Sequence, residues 1–338
     1  MSFRILSNAA DIDREQWEKF VLNHPQGNIF QTPQMYSVYD MTNNFQPVVV
    51  ACFENGSMAG VLLALIQREF KGIIGKLSAR SIIWGGPLAR DNDINILAAL
   101  MNEYNRTIKK QALYSQIRNI FPMDWAKEAL EKNGYKNEDH LDILIELDKP
   151  VEMLWREIHP TRRKQIDRGY RRGIDFNFIQ KPDGAILSEC YELIAIVYNK
   201  IKLPFPNKDL FLNSYLNLNE RIGLFILKYH DKIVGCRFVL LYKKLIYDWY
   251  AGSDDEYLDK YPNDILPWEV IKWGANKGYS IFDFGGAGKP GVPYGVRDYK
   301  LKFGGKVVNY GRMQKIHNSL LYFAAVCGFW FWKLMKKK

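Results

Sequence analysis

The sequence predicts an α/β (α+β) chain of two tandem units, each a mixed twisted sheet flanked by helices. Three observations carry that reading: a length of 338 residues, a strand–helix–strand pattern that occurs twice in one order, and cysteines too scattered to staple a small fold. One hydrophobic core stops growing at about 250–300 residues, so a longer chain divides naturally in two. Hydrophobic residues make up 47% and charged residues 25%, the balance of a globular chain and not of a disordered one.

The elements follow in order. Pro47–Cys52 and Ala59–Gln67 are β-rich apolar runs around the turn Glu54-Asn55-Gly56-Ser57; Gly223–Tyr229 and Ile233–Tyr242 repeat the arrangement around His230-Asp231-Lys232. Both read as hairpins. Gly60 and Gly235 fall at the same place inside the second strand, where glycine permits a bulge or a close backbone approach. Beyond the hairpins, Ser81–Gly86 parallels Ile246–Gly252, and both Asn95–Lys110 and Asp264–Lys277 show helical apolar spacing. Asp264 has the chemistry of an N-cap, and Lys277-Gly278 that of a helix stop. A strand follows each helix, Leu113–Ile120 in one half and Tyr279–Phe284 in the other. Five elements in the same order point to duplication. The domains are then expected over 1–150 and 151–315, with an apolar, basic tail over 316–338. Pro150–Pro160 opens a helical segment, Leu187–Lys202 is a further helix, and no heptad stretch suggests a coiled-coil arm.

A net charge of +10 attracts nucleic acid, anionic lipid or phosphorylated substrates without choosing among them. Cys52, Cys190, Cys236 and Cys327 show neither disulfide nor zinc spacing, which fits a reducing compartment. The N-terminus has no apolar signal core, so a cytoplasmic protein is expected. Leu320–Trp332 is nearly all apolar and is followed by four lysines among the last six residues. It is shorter than the about 17–25 residues of a bilayer span. Tryptophans beside lysines suit contact with the inner face of the cytoplasmic membrane, the alternative being a helix packed on the body.

Four stretches taken together resemble a known family. They are Gly27-Asn28-Ile29-Phe30-Gln31-Thr32-Pro33, the basic run Arg162–Ile174, Pro262-Asn263-Asp264 with Phe282-Asp283-Phe284-Gly285-Gly286, and Tyr299-Lys300-Leu301-Lys302-Phe303-Gly304-Gly305. The chain is similar in these to the Fem-type transferases of peptidoglycan cross-bridge synthesis, which carry two GNAT-like acyltransferase units in tandem. The resemblance implies two GNAT-like domains and transfer of an aminoacyl group from charged tRNA to an amine of a lipid-linked or nucleotide-linked cell-envelope precursor. No permanently bound cofactor is implied; aminoacyl-tRNA or acyl-CoA would be the donor substrate, because general acyltransferases share the outline.

Acyl transfer to an amine needs an uncharged amine, an oxyanion site and a proton acceptor. The resemblance places oxyanion binding on a splayed central strand, here Tyr247–Gly252. Asp248 lies inside that strand, where a carboxylate needs a partner or a cleft, and Tyr250 is a substrate-binding candidate or a half-buried filler. Asp283 alternates with Phe282 and Phe284 and precedes a glycine run, so it either caps a turn or acts on substrate. Tyr299-Lys300 matches the aromatic–lysine pair that the family associates with the reacting carbonyl. Lys302 is expected on the same side of an extended strand, with Arg297 adding a cation; an edge strand guarded by lysines is the plainer reading. Asp248, Asp283 and Lys300 are the catalytic candidates. Arg163, Lys164 and Arg168 belong to a cationic ridge that can hold phosphates or simply face solvent. Ser253–Asn263 is acidic and lacks the glycine pattern of an acyl-CoA loop, which disfavours a diphosphate. The five histidines stand isolated and no triad spacing occurs, so direct attack is expected over a covalent intermediate. The competing expectations are an acyl-CoA-dependent N-acyltransferase and a non-catalytic membrane-associated binder of the same fold.

Overall fold

The structure, a computed structural model, describes residues 3–68, 75, 78–324 and 327. The chain divides into two compact units, one of Met1–Asp139 with Tyr310–Lys338 and one of His140–Asn309.

The first unit runs β1 (Arg4–Leu6), α1 (Arg14–Asn23), α2 (Pro33–Asp40), β2 (Phe45–Glu54), β3 (Ser57–Gln67), β4 (Arg80–Trp84), β5 (Leu88–Ala89), α3 (Ile94–Ile108), β6 (Tyr114–Arg118), α4 (Asp124–Lys132) and β7 (Lys136–Glu138). The second runs β8 (Leu141–Glu146), α5 (Val151–Glu157), α6 (Pro160–Arg171), β9 (Ile174–Ile179), α7 (Gly184–Lys200), α8 (Lys208–Leu218), β10 (Ile222–Tyr229), β11 (Lys232–Tyr242), β12 (Leu245–Ser253), α9 (Pro262–Asn276), β13 (Ile281–Gly286), α10 (Gly295–Leu301) and β14 (Lys306–Asn309). The chain then returns to the first unit as β15 (Arg312–Ile316). The sheets read β1-β2-β3-β4-β6-β15-β7, with β5 on β3, and β14-β8-β13-β12-β11-β10-β9.

The repeat is real at the level of single residues. In β2·β3 the register slips between Cys52 and Phe53, leaving out Ala59 just before Gly60. In β10·β11 it slips between Leu227 and Lys228, leaving out Val234 just before Gly235. A helix packs on each of these glycines. A Cβ on Gly60 would stand 2.6 Å from Ile96 of α3, and one on Gly235 would stand 3.1 Å from Leu266 of α9. Each helix earns its place by burying one face; α3 sinks Ile96, Leu97, Leu100, Met101, Tyr104 and Ile108. Each also joins two parallel strands, β4 to β6 and β12 to β13.

The structure corrects several expectations. The two halves do not part at residues 150 and 315. β8 pairs with β13 and β14, and β15 lies between β6 and β7. Burial decides this: Leu141, Ile143 and Ile145 fill the second core, while Met313 fills the first. Asp264 is no N-cap. Tyr261, in the left-handed region at φ 59°, precedes Pro262 at the helix start, which puts Asp264 inside the first turn and 4% exposed. Tyr299-Lys300 lies on a helix, not an extended edge. Residues two apart on a helix are about 200° apart, so Lys302 does not share a face with Lys300. In the tail, Leu320 and Phe323 are exposed, and Phe329 to Lys338 lie outside the described residues. Among the described residues no helix is long and apolar enough to cross a membrane. Cys52, Cys190 and Cys236 are buried free thiols.

Candidate active site

The site is built where a parallel pair of strands comes apart. β12 and β13 pair at Leu245↔Ile281, Ile246↔Phe282 and Tyr247↔Asp283, and no further. β12 continues to Ser253 along β11, with a bulge that leaves out Trp249 between Asp248 and Tyr250. Past Tyr247, the backbone groups on the edge of β12 that faces β13 make no ladder pair with β13 among the described residues. Such groups are obligatory hydrogen-bonders, and a ligand can satisfy them.

Charged side chains gather at this opening. Arg237 of β11 donates from Nη1 to Asp248 Oδ2 at 2.5 Å, with the two side chains 6% and 13% exposed. Burial works against the arginine charge, yet Asp248 opposes it and the pKa is held up. Arg237 Nε and Asp248 Oδ1 are buried without a hydrogen-bond partner among the described residues. Lys300 reaches from α10 and donates to the carbonyls of Phe284 at 2.5 Å and Gly286 at 3.0 Å, its pKa lowered by burial. Asp283, 1% exposed, accepts from Gly285 N at 2.8 Å. Burial, and then the neighbouring Asp142 charge, push its pKa up to about 8. At neutral pH Asp283 is mainly a carboxylic acid.

Tyr299 donates its hydroxyl to the Asn263 carbonyl, and burial raises its pKa. Arg162 stacks 5.0 Å over the Tyr299 ring and donates to Asp264 Oδ1 at 2.6 Å. The first turn of α9 would otherwise offer bare N–H groups to an anion. Here it already holds a carboxylate paired with an arginine.

The structure thus brings Asp248, Asp283, Lys300 and Tyr299 to one opening. Tyr250 belongs instead to an aromatic cluster with Tyr198, Phe205 and Phe211, ring centroids 5.2–5.8 Å apart. Arg297 is occupied by the backbone, donating to the carbonyls of Ala287, Lys289 and Val292 at 2.9, 3.0 and 2.6 Å. It holds the glycine-rich loop in shape. Lys302 is exposed beside α10. Arg163, Lys164 and Arg168 sit on α6 and make no ion pair among the described residues. The ridge is less bare than the sequence suggests, since Arg162 pairs with Asp264 and Arg172 with Asp259.

Sequence reasoning missed Arg237 and Asp142. An arginine inside an apolar strand was the available signal for Arg237, because such a charge demands a carboxylate across the ladder. Asp142 was hidden by the misplaced domain boundary. Among the described residues no group of His, Cys, Asp and Glu is arranged to hold a metal.

Comparison with known proteins supplies the wider frame. Over 96% of this chain and 99% of the other, the structure is similar to the crystal structure of FemX, with a TM-score of 0.73 and 16% identity. It is also similar to L-PGS from Bacillus licheniformis (TM-score 0.59, 18% identity, 93% and 95% covered). A tandem GNAT protein from the clavulanic acid biosynthesis pathway aligns with a TM-score of 0.61 and 9% identity, over 94% of this chain and 99% of that one. No curated protein sequence matches the chain. Residues 161–301 match the family model described as the acetyltransferase (GNAT) domain. The chain therefore has a tandem GNAT-type fold, and residues 161–301 of its second half are similar to the acetyltransferase (GNAT) domain.

Proposed function

We propose that the second unit moves an aminoacyl or acyl group onto an amine of a lipid-linked, peptidoglycan-type cell-envelope precursor by direct attack. The observation that carries this reading is the parting of β12 from β13 beside Lys300, Asp248 and Asp283. Backbone N–H groups and a buried ammonium at such an opening suit a carbonyl that gathers negative charge as the amine adds. The likeness to FemX supports a cell-envelope acceptor, and the Fem-like motifs supported the same choice. Arg163, Lys164 and Arg168 offer cations to the phosphates of a precursor or of tRNA. The apolar, basic tail would keep the protein at the inner membrane surface, close to such an acceptor.

The donor separates two versions of the reading. The acetyltransferase description of residues 161–301 favours acyl-CoA. Against it, Asp264 fills the first turn of α9 and Asp254, Asp255, Glu256 and Asp259 crowd the segment before it. The Asp264–Arg162 pair leaves that helix start no bare N-terminus for a diphosphate, so we favour aminoacyl-tRNA. Incubation with lipid-linked precursor and labelled aminoacyl-tRNA, or with labelled acyl-CoA, tests both versions. Label is expected on the precursor from aminoacyl-tRNA. Label from acyl-CoA alone would select the second version, and no transfer from either would favour a non-catalytic binder.

A further inference from the structure

We propose that a cationic cleft in the first unit, between α3 and the end of β15, binds the phosphate of an anionic phospholipid headgroup and seats this unit on the membrane surface. The proposal deepens one part of the function above, the place of the tail at the inner membrane surface, and rests on that part alone. It starts from the side of α3 that does not enter the core. Asn105, Arg106 and Lys109 lie there, half-buried or exposed. Opposite them come Lys315 and Ile316, the last residues of β15, and then His317. Together these line a cleft of about 410 Å³ with no acidic side chain in its wall. The acid nearest in sequence, Glu103, is taken by Arg106, whose Nε and Nη2 donate to it at 2.9 and 2.7 Å. Lys109 and Lys315 have no carboxylate partner among the described residues.

What these side chains have left to offer is donors. Asn105 Oδ1 accepts from the Tyr135 hydroxyl at 3.0 Å, so the other end of that amide is an NH2. Lys315 spends one N–H on the Asn133 carbonyl at 2.7 Å, which leaves two. His317 Nε2 is bonded to Ser115 Oγ at 2.7 Å, at the end of a hydroxyl chain that runs through Tyr104 to Ser81. That chain fixes the imidazole at the wall of the cleft. Burial, and then the Lys315 charge, hold the His317 pKa down at about 4, and burial lowers that of Lys315. Cationic groups are thus crowded without a counter-charge, and a phosphate, which brings only acceptor oxygens and negative charge, matches them. Compensation of the helix dipole accounts for Arg106 and Lys109 at the end of α3. It does not account for Lys315 and His317, which arrive from another element.

Apolar groups at the same place select a lipid over a soluble phosphate. Ile316 lines the cleft and is 41% exposed. Directly after His317, Asn318 turns the chain into a helical segment, its Oδ1 accepting from Leu321 N at 3.0 Å. Leu320 and Phe323 on that segment are 85% and 71% exposed. Tyr322 packs edge-on against Tyr114 of β6, ring centroids 5.5 Å apart, which ties the segment to the strand that β15 pairs with. Donors for a phosphate beside apolar side chains held out in water are what the boundary of an anionic bilayer satisfies at once.

Co-sedimentation of the full chain with phosphatidylcholine vesicles, with and without phosphatidylglycerol, tests the proposal. The wild type is expected to bind only the vesicles that contain phosphatidylglycerol. Lys109→Gln combined with Lys315→Gln should weaken that binding roughly 25-fold, about 5-fold for each lysine. Lys19→Gln combined with Lys127→Gln removes the same charge outside the cleft and should leave binding nearly unchanged. The His317 imidazole reports on the cleft itself: dihexanoylphosphatidylglycerol should shift its NMR resonances in the wild type but not in the Lys109→Gln, Lys315→Gln variant, and inorganic phosphate should do so only weakly. The cleft is overturned if both double variants lose binding equally, or if neither does. Inorganic phosphate acting on His317 as strongly as the lipid would assign the cleft to a soluble phosphate and overturn the lipid. A wild type that binds neither kind of vesicle sinks the membrane reading, and the cleft with it, a result distinct from the others and independent of whether transfer occurs.

Discussion

The two units carry the same scaffold and treat its central seam in opposite ways. In the first, β4 and β6 pair through all five residues from Arg80↔Tyr114 to Trp84↔Arg118, and Gly85 N adds one more bond to Arg118 O at 2.9 Å. The end of that seam is covered, with Arg118 lying 4.6 Å over the Trp84 ring and Phe30 stacked 5.5 Å from it. Gln31 fills the neighbouring gap between β3 and β4. Its amide accepts from Leu63 N at 2.7 Å and donates to the carbonyls of Leu63 and Trp84 at 3.1 and 2.7 Å. In the second unit the equivalent pair separates after three residues, and Arg237, Asp248 and Lys300 occupy the surroundings. A duplicated fold has thus closed one seam with neutral amides and aromatic rings and kept the other open among charges. The Gly27–Pro33 motif, read as a family signature, turns out to be part of the closure.

That contrast can be broken by substitution. The largest effect is expected at Arg237. Arg237→Leu strands Asp248 in a buried site and should cost about 3–5 kcal/mol in urea unfolding. The double variant with Asp248→Leu should recover most of it, and a simple sum of the two losses would argue that the ion pair is not the source. Next, Lys300→Met should lower transfer by about 10²–10³-fold, since it removes a donor aimed at developing charge. Its counterpart in the closed seam behaves the other way. Gln31→Leu removes its bonds to the Leu63 and Trp84 backbone, which should cost about 1–3 kcal/mol in stability but leave transfer per folded molecule unchanged.

A pH series sharpens the comparison further. Asp283 is protonated in the folded protein up to about pH 8, whereas its ordinary value is 3.8. Between those values the folded state binds more protons than the unfolded state, so this group makes stability fall as pH rises. Asp283→Asn should remove that slope, and its urea midpoint relative to wild type should climb from pH 5 to pH 8. The smallest effect on stability belongs to α6. Replacing Arg163, Lys164 and Arg168 by Gln should alter unfolding by less than about 0.5 kcal/mol. The same triple change should weaken donor or acceptor binding and flatten its salt dependence, as read in a titration at two ionic strengths.

Much of the scaffold was legible because it rests on local patterns. Both hairpins, the two bulge glycines and the helices α3 and α9 follow from runs, turns and 3.6-residue spacing. Part of the site was legible too. Asp248, Asp283 and Tyr299-Lys300 stood out as charges or hydroxyls in apolar or glycine-rich settings, and the structure gathers them at one opening. The rest depended on partners distant in sequence. Arg297 and Tyr250 looked like binding residues, yet loop carbonyls claim the first and aromatic packing the second. Nothing within a few residues of either announces that.

By itself, the sequence determined that this chain is a duplicated α/β protein whose second copy concentrates the unusual polar residues. Periodicity and turn chemistry act over a few residues, so a sequence records them directly. Only the tertiary structure decided which sheet each strand completes and which seam stays open. β8 and β15 each join a sheet made by a different stretch of chain, and the ladder between β12 and β13 stops at Tyr247. Those outcomes depend on hydrogen bonds and buried surfaces between segments distant in sequence, as in the pairing of Arg312 with Arg118 and of Ile281 with Glu146, and composition and local order do not encode such pairings.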